Sequence, residues 1–151
     1  MHLKVPPAAL AVLAVILMVA LRSVLPAFTY ALPYKEIVAV LLGGAGILIA
    51  VAGVRAFRRL KTTVNPTRPG TATSLVIDGI YRWTRNPMYL GIVLCLIACG
   101  VYLANVVALV VAPAVFVLYI NHFQIKPEEE ALALIFGEAY VRYQASVRRW
   151  L

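Results

Sequence analysis

Four apolar runs, at about 8–25, 37–54, 88–102 and 106–123, leave this chain few ways to fold. As helices rising about 1.5 Å per residue, they reach or approach the roughly 30 Å of a bilayer's hydrocarbon core. Backbone that water cannot reach must satisfy itself, and a helix does so without a partner. The expected fold class is therefore all-α: a polytopic membrane protein of about four transmembrane helices, forming a single domain over 1–151. Charged residues make up only 13% of the chain and mean hydropathy is +0.90, which excludes an ordinary soluble domain.

The first run has a basic residue before it, Lys4, as a signal peptide would. It is long and no small-x-small cleavage site follows directly, so it is read as a retained span. Arg22 near its far end can snorkel to the interface. In the second run Ala39, Gly43, Gly46, Ala50 and Gly53 recur at spacings of three and four. In the third, Gly91, Cys95 and Cys99 do the same. Both patterns are small-residue seams for helix packing. The glycines follow no strand and have no phosphate-loop lysine, and the two cysteines have neither disulfide-framework nor zinc spacing.

Charge sets the orientation. Arg55, Arg58, Arg59, Lys61, Arg68, Arg82 and Arg85 lie in one connection, 55–86, with Asp78 its only acidic residue. By the positive-inside rule this connection is cytoplasmic. Four spans then put both termini on the same side, where Lys126, Arg142, Arg148 and Arg149 agree. The net charge of +8 is read as this cytoplasmic face meeting anionic membrane lipids, and not as a nucleic-acid surface, since no base-reading motif is present.

Three polar groups should converge at that face. Residues 79–91 hold Tyr81, Arg82, Trp83, Arg85 and Tyr89 around Asn86-Pro87, which predicts a helix with Asn86 near its N-cap and Pro87 at its first position. Asn121-His122 ends the fourth run, and Glu128-Glu129-Glu130 follows Pro127. A tight turn near Ala104-Asn105 makes the third and fourth runs an antiparallel hairpin, so all three groups meet at one end. Beyond them Leu132, Phe136, Tyr140, Tyr143 and Val147 predict one amphipathic helix from about 127 to 149, its stripe toward membrane or protein. Each group also has a plain structural reading: helix start, interfacial histidine, or acids favoured by a helix dipole. No metal-ligand spacing, Gly-x-Ser-x-Gly or dinucleotide-binding pattern occurs.

Two blocks within 62–151 are more specific. Leu75-Val76-x-x-Gly79-x-Tyr81-x-x-x-Arg85-Asn86-Pro87-x-Tyr89-x-Gly91 is one. Glu128-Glu129-x-x-Leu132-x-x-x-Phe136-Gly137-x-x-Tyr140-x-x-Tyr143 is the other. Together they closely resemble the isoprenylcysteine carboxyl methyltransferase family, whose wider group includes membrane phospholipid N-methyltransferases. The resemblance implies a membrane-embedded methyltransferase using S-adenosylmethionine at the cytoplasmic face, with cofactor-binding elements at about 62–91 and 121–147. Carried over by motif position, Thr73, Ser74, Leu75, Val76, Tyr81, Asn86, Pro87, Met88, Tyr89 and Glu128 would bind the cofactor. Arg85, Glu129 and His122 are the candidate catalytic residues, Glu129 or His122 to deprotonate an amine or thiol acceptor. Two positions depart from the prenylcysteine enzymes: Asn86 stands where they have histidine, and Gln124 where they have a substrate-linked arginine. The resemblance therefore carries the cofactor further than the acceptor, which should be a lipophilic molecule entering laterally from the bilayer. A phospholipid amine methyltransferase, a membrane reductase and a non-catalytic lipid-binding scaffold are the rivals. No feature of the sequence fixes an oligomeric state.

Overall fold

The computed structural model describes residues 5–59 and 74–151, and within them the chain is helical with no named strand. The helices are α1 (Pro7–Val24), α2 (Lys35–Arg59), α3 (Pro87–Leu103), α4 (Val106–Ile120), α5 (Lys126–Phe136) and α6 (Glu138–Ser146). Among the described residues, α1, α2 and the continuous helical stretch Val106–Phe136 are long and apolar enough to cross a membrane. The shorter apolar α3 has 17 residues. Val106–Phe136 has 31 residues. At helical rise that is roughly 46 Å, longer than a hydrocarbon core, so its polar end from about Gln124 onward projects beyond the apolar slab.

Helix α3 lies at the centre of the bundle. Contacts with α2, α4 and α1 surround it, while α1 also packs along α4. The α2–α3 pair follows the small-residue seams. A Cβ placed on Gly46 would sit 2.6 Å from the Gly91 carbonyl, one on Gly43 lies 3.6 Å from Ala98, and one on Gly53 meets Met88 and Pro87. The pairing is antiparallel, so the end of α2 lies against the start of α3. Lipid tails are as apolar as the helices, and close van der Waals contact between backbones supplies the attraction that hydrophobicity would supply in water.

The far end of the bundle is fastened by Asn105, which is fully buried. Its Oδ1 caps α4 by accepting from Ala108 N at 3.0 Å, and its Nδ2 donates to the Leu25 carbonyl at 2.9 Å. Asn105→Ala leaves that N–H and that carbonyl unpaired, and should cost about 2 kcal/mol. Thermal unfolding in detergent measures this; Asn105→Asp, which keeps the cap and loses the donor, should fall between.

One expectation is corrected. The single helix expected over about 127–149 is two, because Gly137 adopts φ +52 between α5 and α6, a left-handed conformation that suits glycine. From Val147 onward the chain is extended or irregular. The break lets the Leu132, Phe136, Tyr140, Tyr143 and Val147 stripe fold over the Leu75–Tyr81 region. There it forms a second core with Val76 and Phe57, so the stripe faces protein.

Candidate functional site

The polar end of the bundle is assembled from α3, α5, α6 and the turn before α3. Pro87 is the first residue of α3 as its missing N–H allows, and Asn86 holds the non-helical φ −131 that precedes a proline. Asn86 does not cap with its side chain. Its Nδ2 donates instead to the Arg149 carbonyl at 3.0 Å, and Thr84 Oγ1 donates to the same oxygen at 3.2 Å.

Glu128 and Tyr89 form the link between α5 and α3: the Tyr89 hydroxyl donates to Glu128 Oε2 at 3.4 Å and also engages the buried Gln124 side chain. Gln124 sits in the π-helical turn Asn121–Ile125, an extra-residue turn that rotates α5 relative to α4. Tyr81 is buried nearby, its ring 5.5 Å from Phe57 and its carbonyl accepting from Tyr143 Oη at 2.7 Å.

The electrostatics follow from burial. Glu128 is pushed from the usual 4.5 up to about 7, chiefly by desolvation and further by Glu129, with the Tyr89 hydrogen bond opposing. Burial likewise raises the hydroxyls of Tyr81 and Tyr143, and takes Tyr140 to about 12 with help from Glu129. These phenols are neutral donors near pH 7, and Glu128 titrates there.

Glu129 faces different partners. Arg149 holds it through two hydrogen bonds, Nε to Oε1 at 3.1 Å and Nη2 to Oε2 at 2.6 Å. Arg85 Nη1 also lies 3.1 Å from Oε1. That last contact is an ion pair by distance but is not aligned as a hydrogen bond: Arg85 Nε and Nη1 are buried without a hydrogen-bond partner among the described residues.

Two cavities occur among the described residues, one of them beside this cluster. An apolar cleft of about 460 Å³ runs between α1 and α2 with α3 as its floor, lined by residues including Val12, Ile16, Ile47, Val51 and Gly91. A polar recess of about 240 Å³ opens beside Glu129, Lys126 and Gln144. No group of metal-ligating side chains occurs among the described residues.

A sequence model of known proteins decides what this end of the bundle belongs to. The model described as phospholipid methyltransferase matches residues 34–139, from the start of α2 into α6. This chain belongs to the phospholipid methyltransferase family. Methyl transfer in a membrane is thus its class of chemistry, and the wider group suggested by the Arg85-Asn86-Pro87 and Glu128-Glu129 blocks is the right one. A Haemophilus influenzae protein, itself uncharacterised, is 45% identical over 64 residues, which is 42% of this chain and the whole of that protein. No solved structure matches.

Within this family member, Tyr81, Tyr89, Arg85, Glu128 and Glu129 lie in one cluster, and Leu75 and Val76 pack into the aromatic core beside it. Ser74 is half-buried at the edge of the described segment. Met88 and Pro87 lie against Gly53. Thr73 lies outside the described residues. His122 is exposed, its ring edge-on to Phe123 at 4.7 Å, and it takes no part in the cluster's hydrogen bonds or ion pairs. Sequence reasoning missed Thr84, Arg149 and Trp150. It saw Gln124 only as a departure from a pattern, although a polar residue at the end of an apolar span was a signal for it.

Proposed function

We propose that this protein is an S-adenosylmethionine-dependent methyltransferase of four spans, with its site on the cytoplasmic face and a lipophilic acceptor. The observation that carries the reading is Glu128, a half-buried carboxylate held by Tyr89 from the first turn of α3, the helix that also floors the apolar cleft. Pro87, where α3 starts, and Gly91, which lines the cleft, are one helical turn apart, about 6 Å along the axis. The residues fit the cofactor's chemistry: Glu128 suits its ammonium, the tyrosine its sulfonium, and the Arg85 Nε–H, which makes no hydrogen bond among the described residues, its carboxylate. Bound there, S-adenosylmethionine would supply an electrophilic methyl carbon. Clustering of Arg55, Arg58, Arg59, Arg82, Lys126 and Arg142 around this end supports the cytoplasmic orientation.

The chain's own contribution is alignment and exclusion of water. The cleft would hold the acceptor's tail while its reactive head lies beside Tyr89. Glu129 is engaged by two guanidinium groups, so we assign Arg85 and Glu129 to organising the site, and leave His122 at the surface. Among the described residues no free base then stands beside Glu128, which favours a carboxylate acceptor, already ionised near neutral pH. The family description favours a second reading, a phospholipid amine, with deprotonation by water.

Transfer of labelled methyl from S-adenosylmethionine into a total lipid extract tests both readings. Label released as methanol by mild alkali marks an ester and hence a carboxylate; alkali-stable label in a headgroup marks an amine. No transfer, with no S-adenosylhomocysteine binding at millimolar concentration, rejects the proposal. Where binding occurs, Tyr89→Phe should weaken it about threefold to tenfold by removing one hydrogen bond to a carboxylate. Arg22→Ala, at the other end of α1, should leave it unchanged.

A further inference from the structure

Residues 148–150 make a set of contacts that neither the family blocks nor the proposed reaction uses. The Arg148 carbonyl accepts from Arg85 N at 3.1 Å. The Arg149 carbonyl accepts from both Thr84 and Asn86, while its guanidinium grips Glu129 on α5. Trp150 Nε1 donates to Asn121 Oδ1 at 3.2 Å, and its ring packs on the main core. Three consecutive residues thus bind the turn before α3, the π-turn after α4 and the first turn of α5. Those elements come from distant parts of the chain; the last carries Glu128, and the first leads directly into α3 and Tyr89.

We propose that Arg149 is a positioning residue for the methyl-donor site. Its backbone fixes Thr84-Arg85-Asn86, and its side chain fixes and neutralises Glu129, so that neighbouring Glu128 is the carboxylate left to meet a cationic ligand. This rests on the reading of Glu128 as the donor's partner.

A strap that served only to hold helices together would be replaceable by any contact of similar strength. Arg149 differs in that its charge acts on Glu128 through Glu129. Among the described residues, the groups facing Glu128 are Tyr89 on α3, itself engaged by Gln124 of the π-turn, Tyr81 before α3, Tyr140 on α6 and Glu129 beside it. Arg85, beside Glu129, is the remaining charge on that side. Among the described residues, Glu129 is the charged group that acts on Glu128, and Arg149 is its better-aligned partner. Without Arg149, Glu129 repels the ionised Glu128 more strongly, and the proton on Glu128 is held to higher pH.

Infrared titration of the ligand-free protein reads this directly. The protonated carboxyl band of Glu128, assigned by its loss in Glu128→Gln, should titrate near pH 7 in the native chain. In Arg149→Gln its midpoint should move up by about one pH unit; in Arg149→Lys, which keeps the charge and loses the fork, by less. In Arg149→Gln/Glu129→Gln, where both charges are gone, the midpoint should fall back to or below the native value. S-adenosylhomocysteine affinity at pH 7 should fall about tenfold in Arg149→Gln and recover partly in Arg149→Lys. An unchanged midpoint in a folded Arg149→Gln, or, where that variant does not fold, in Arg149→Lys, overturns the proposal. If the native chain binds no S-adenosylhomocysteine, the donor reading fails, while the infrared series still decides whether Arg149 controls Glu128.

Discussion

Glu128→Gln should lower affinity for S-adenosylhomocysteine by about 10- to 100-fold at pH 7.5 and remove most methyl transfer. A charge-assisted hydrogen bond in a partly buried site contributes about 1.5–3 kcal/mol, which is that range of affinity. The pH dependence should identify the cause. In the ligand-free protein Glu128 titrates at about 7, and a bound ammonium favours its ionised form. Native affinity should therefore be level above pH 7 and fall as pH drops through 7, by up to tenfold per unit, while Glu128→Gln shows a weak, flat profile. Stability of the ligand-free protein should run the other way. The folded state retains a proton between 4.5 and about 7 that the unfolded state has released, so stability falls as pH rises through that window. A shift of that size corresponds to about 3 kcal/mol at most, and Glu128→Gln should abolish that loss. Calorimetry with S-adenosylhomocysteine and thermal unfolding from pH 5 to 8 check both signs. A Glu128→Gln variant that keeps the native pH profile would mean another group carries the titration.

The sequence reading succeeded where structure is written in side chains at regular spacing. Apolar runs placed α1 and α3 to within a residue or two, while α2 runs on to Arg59 and the fourth run's helical stretch continues to Phe136, because hydropathy marks apolar length and not where a helix stops. The seam from Gly43 to Gly53 and the Gly91–Cys95 part of its counterpart are where α2 and α3 meet, with Cys95 Sγ 3.7 Å from the Gly43 carbonyl, whereas Cys99 packs on the main core. Convergence of Tyr89 with Glu128 followed from the hairpin alone. What was not legible depends on backbone atoms or on a change of direction. The Arg148 and Arg149 carbonyls are acceptors that every residue has, so no pattern announced that Thr84, Arg85 and Asn86 would bind them. Arg149 read as a topology signal because a surface arginine and a clasping arginine are the same letter. The break at Gly137 interrupts no hydrophobic spacing, since α6 continues the stripe after the turn.

Gly91→Ala should be the most damaging alanine substitution among the described glycines of the α2–α3 seam. A Cβ at Gly91 would run into the Gly46 carbonyl oxygen, and would also lie 2.8 Å from Ala50 Cβ and 3.0 Å from Ala50 N. These are helix backbone and a side chain with no rotamer to change, so relief requires α2 to move away from α3. That movement opens the seam along its length and withdraws Gly53 from Pro87 and Met88, where α3 enters the site. Overpacking of this kind costs about 1–3 kcal/mol in a core that can yield locally, and Gly91→Ala should reach or exceed the upper figure because the obstruction is backbone. The series is graded by what each added methyl meets. Gly46→Ala, with the Gly91 carbonyl at 2.6 Å, should approach Gly91→Ala; Gly43→Ala, in ordinary contact with Ala98 at 3.6 Å, should be mild; Gly44→Ala, with nothing within 4 Å, should be neutral or slightly stabilising through helix propensity. Unfolding midpoints in detergent give the order, and S-adenosylhomocysteine affinity should fall in the same order because the seam also seats Pro87 and Met88. A Gly91→Ala protein as stable as Gly44→Ala would show that α2 and α3 do not pack through these glycines.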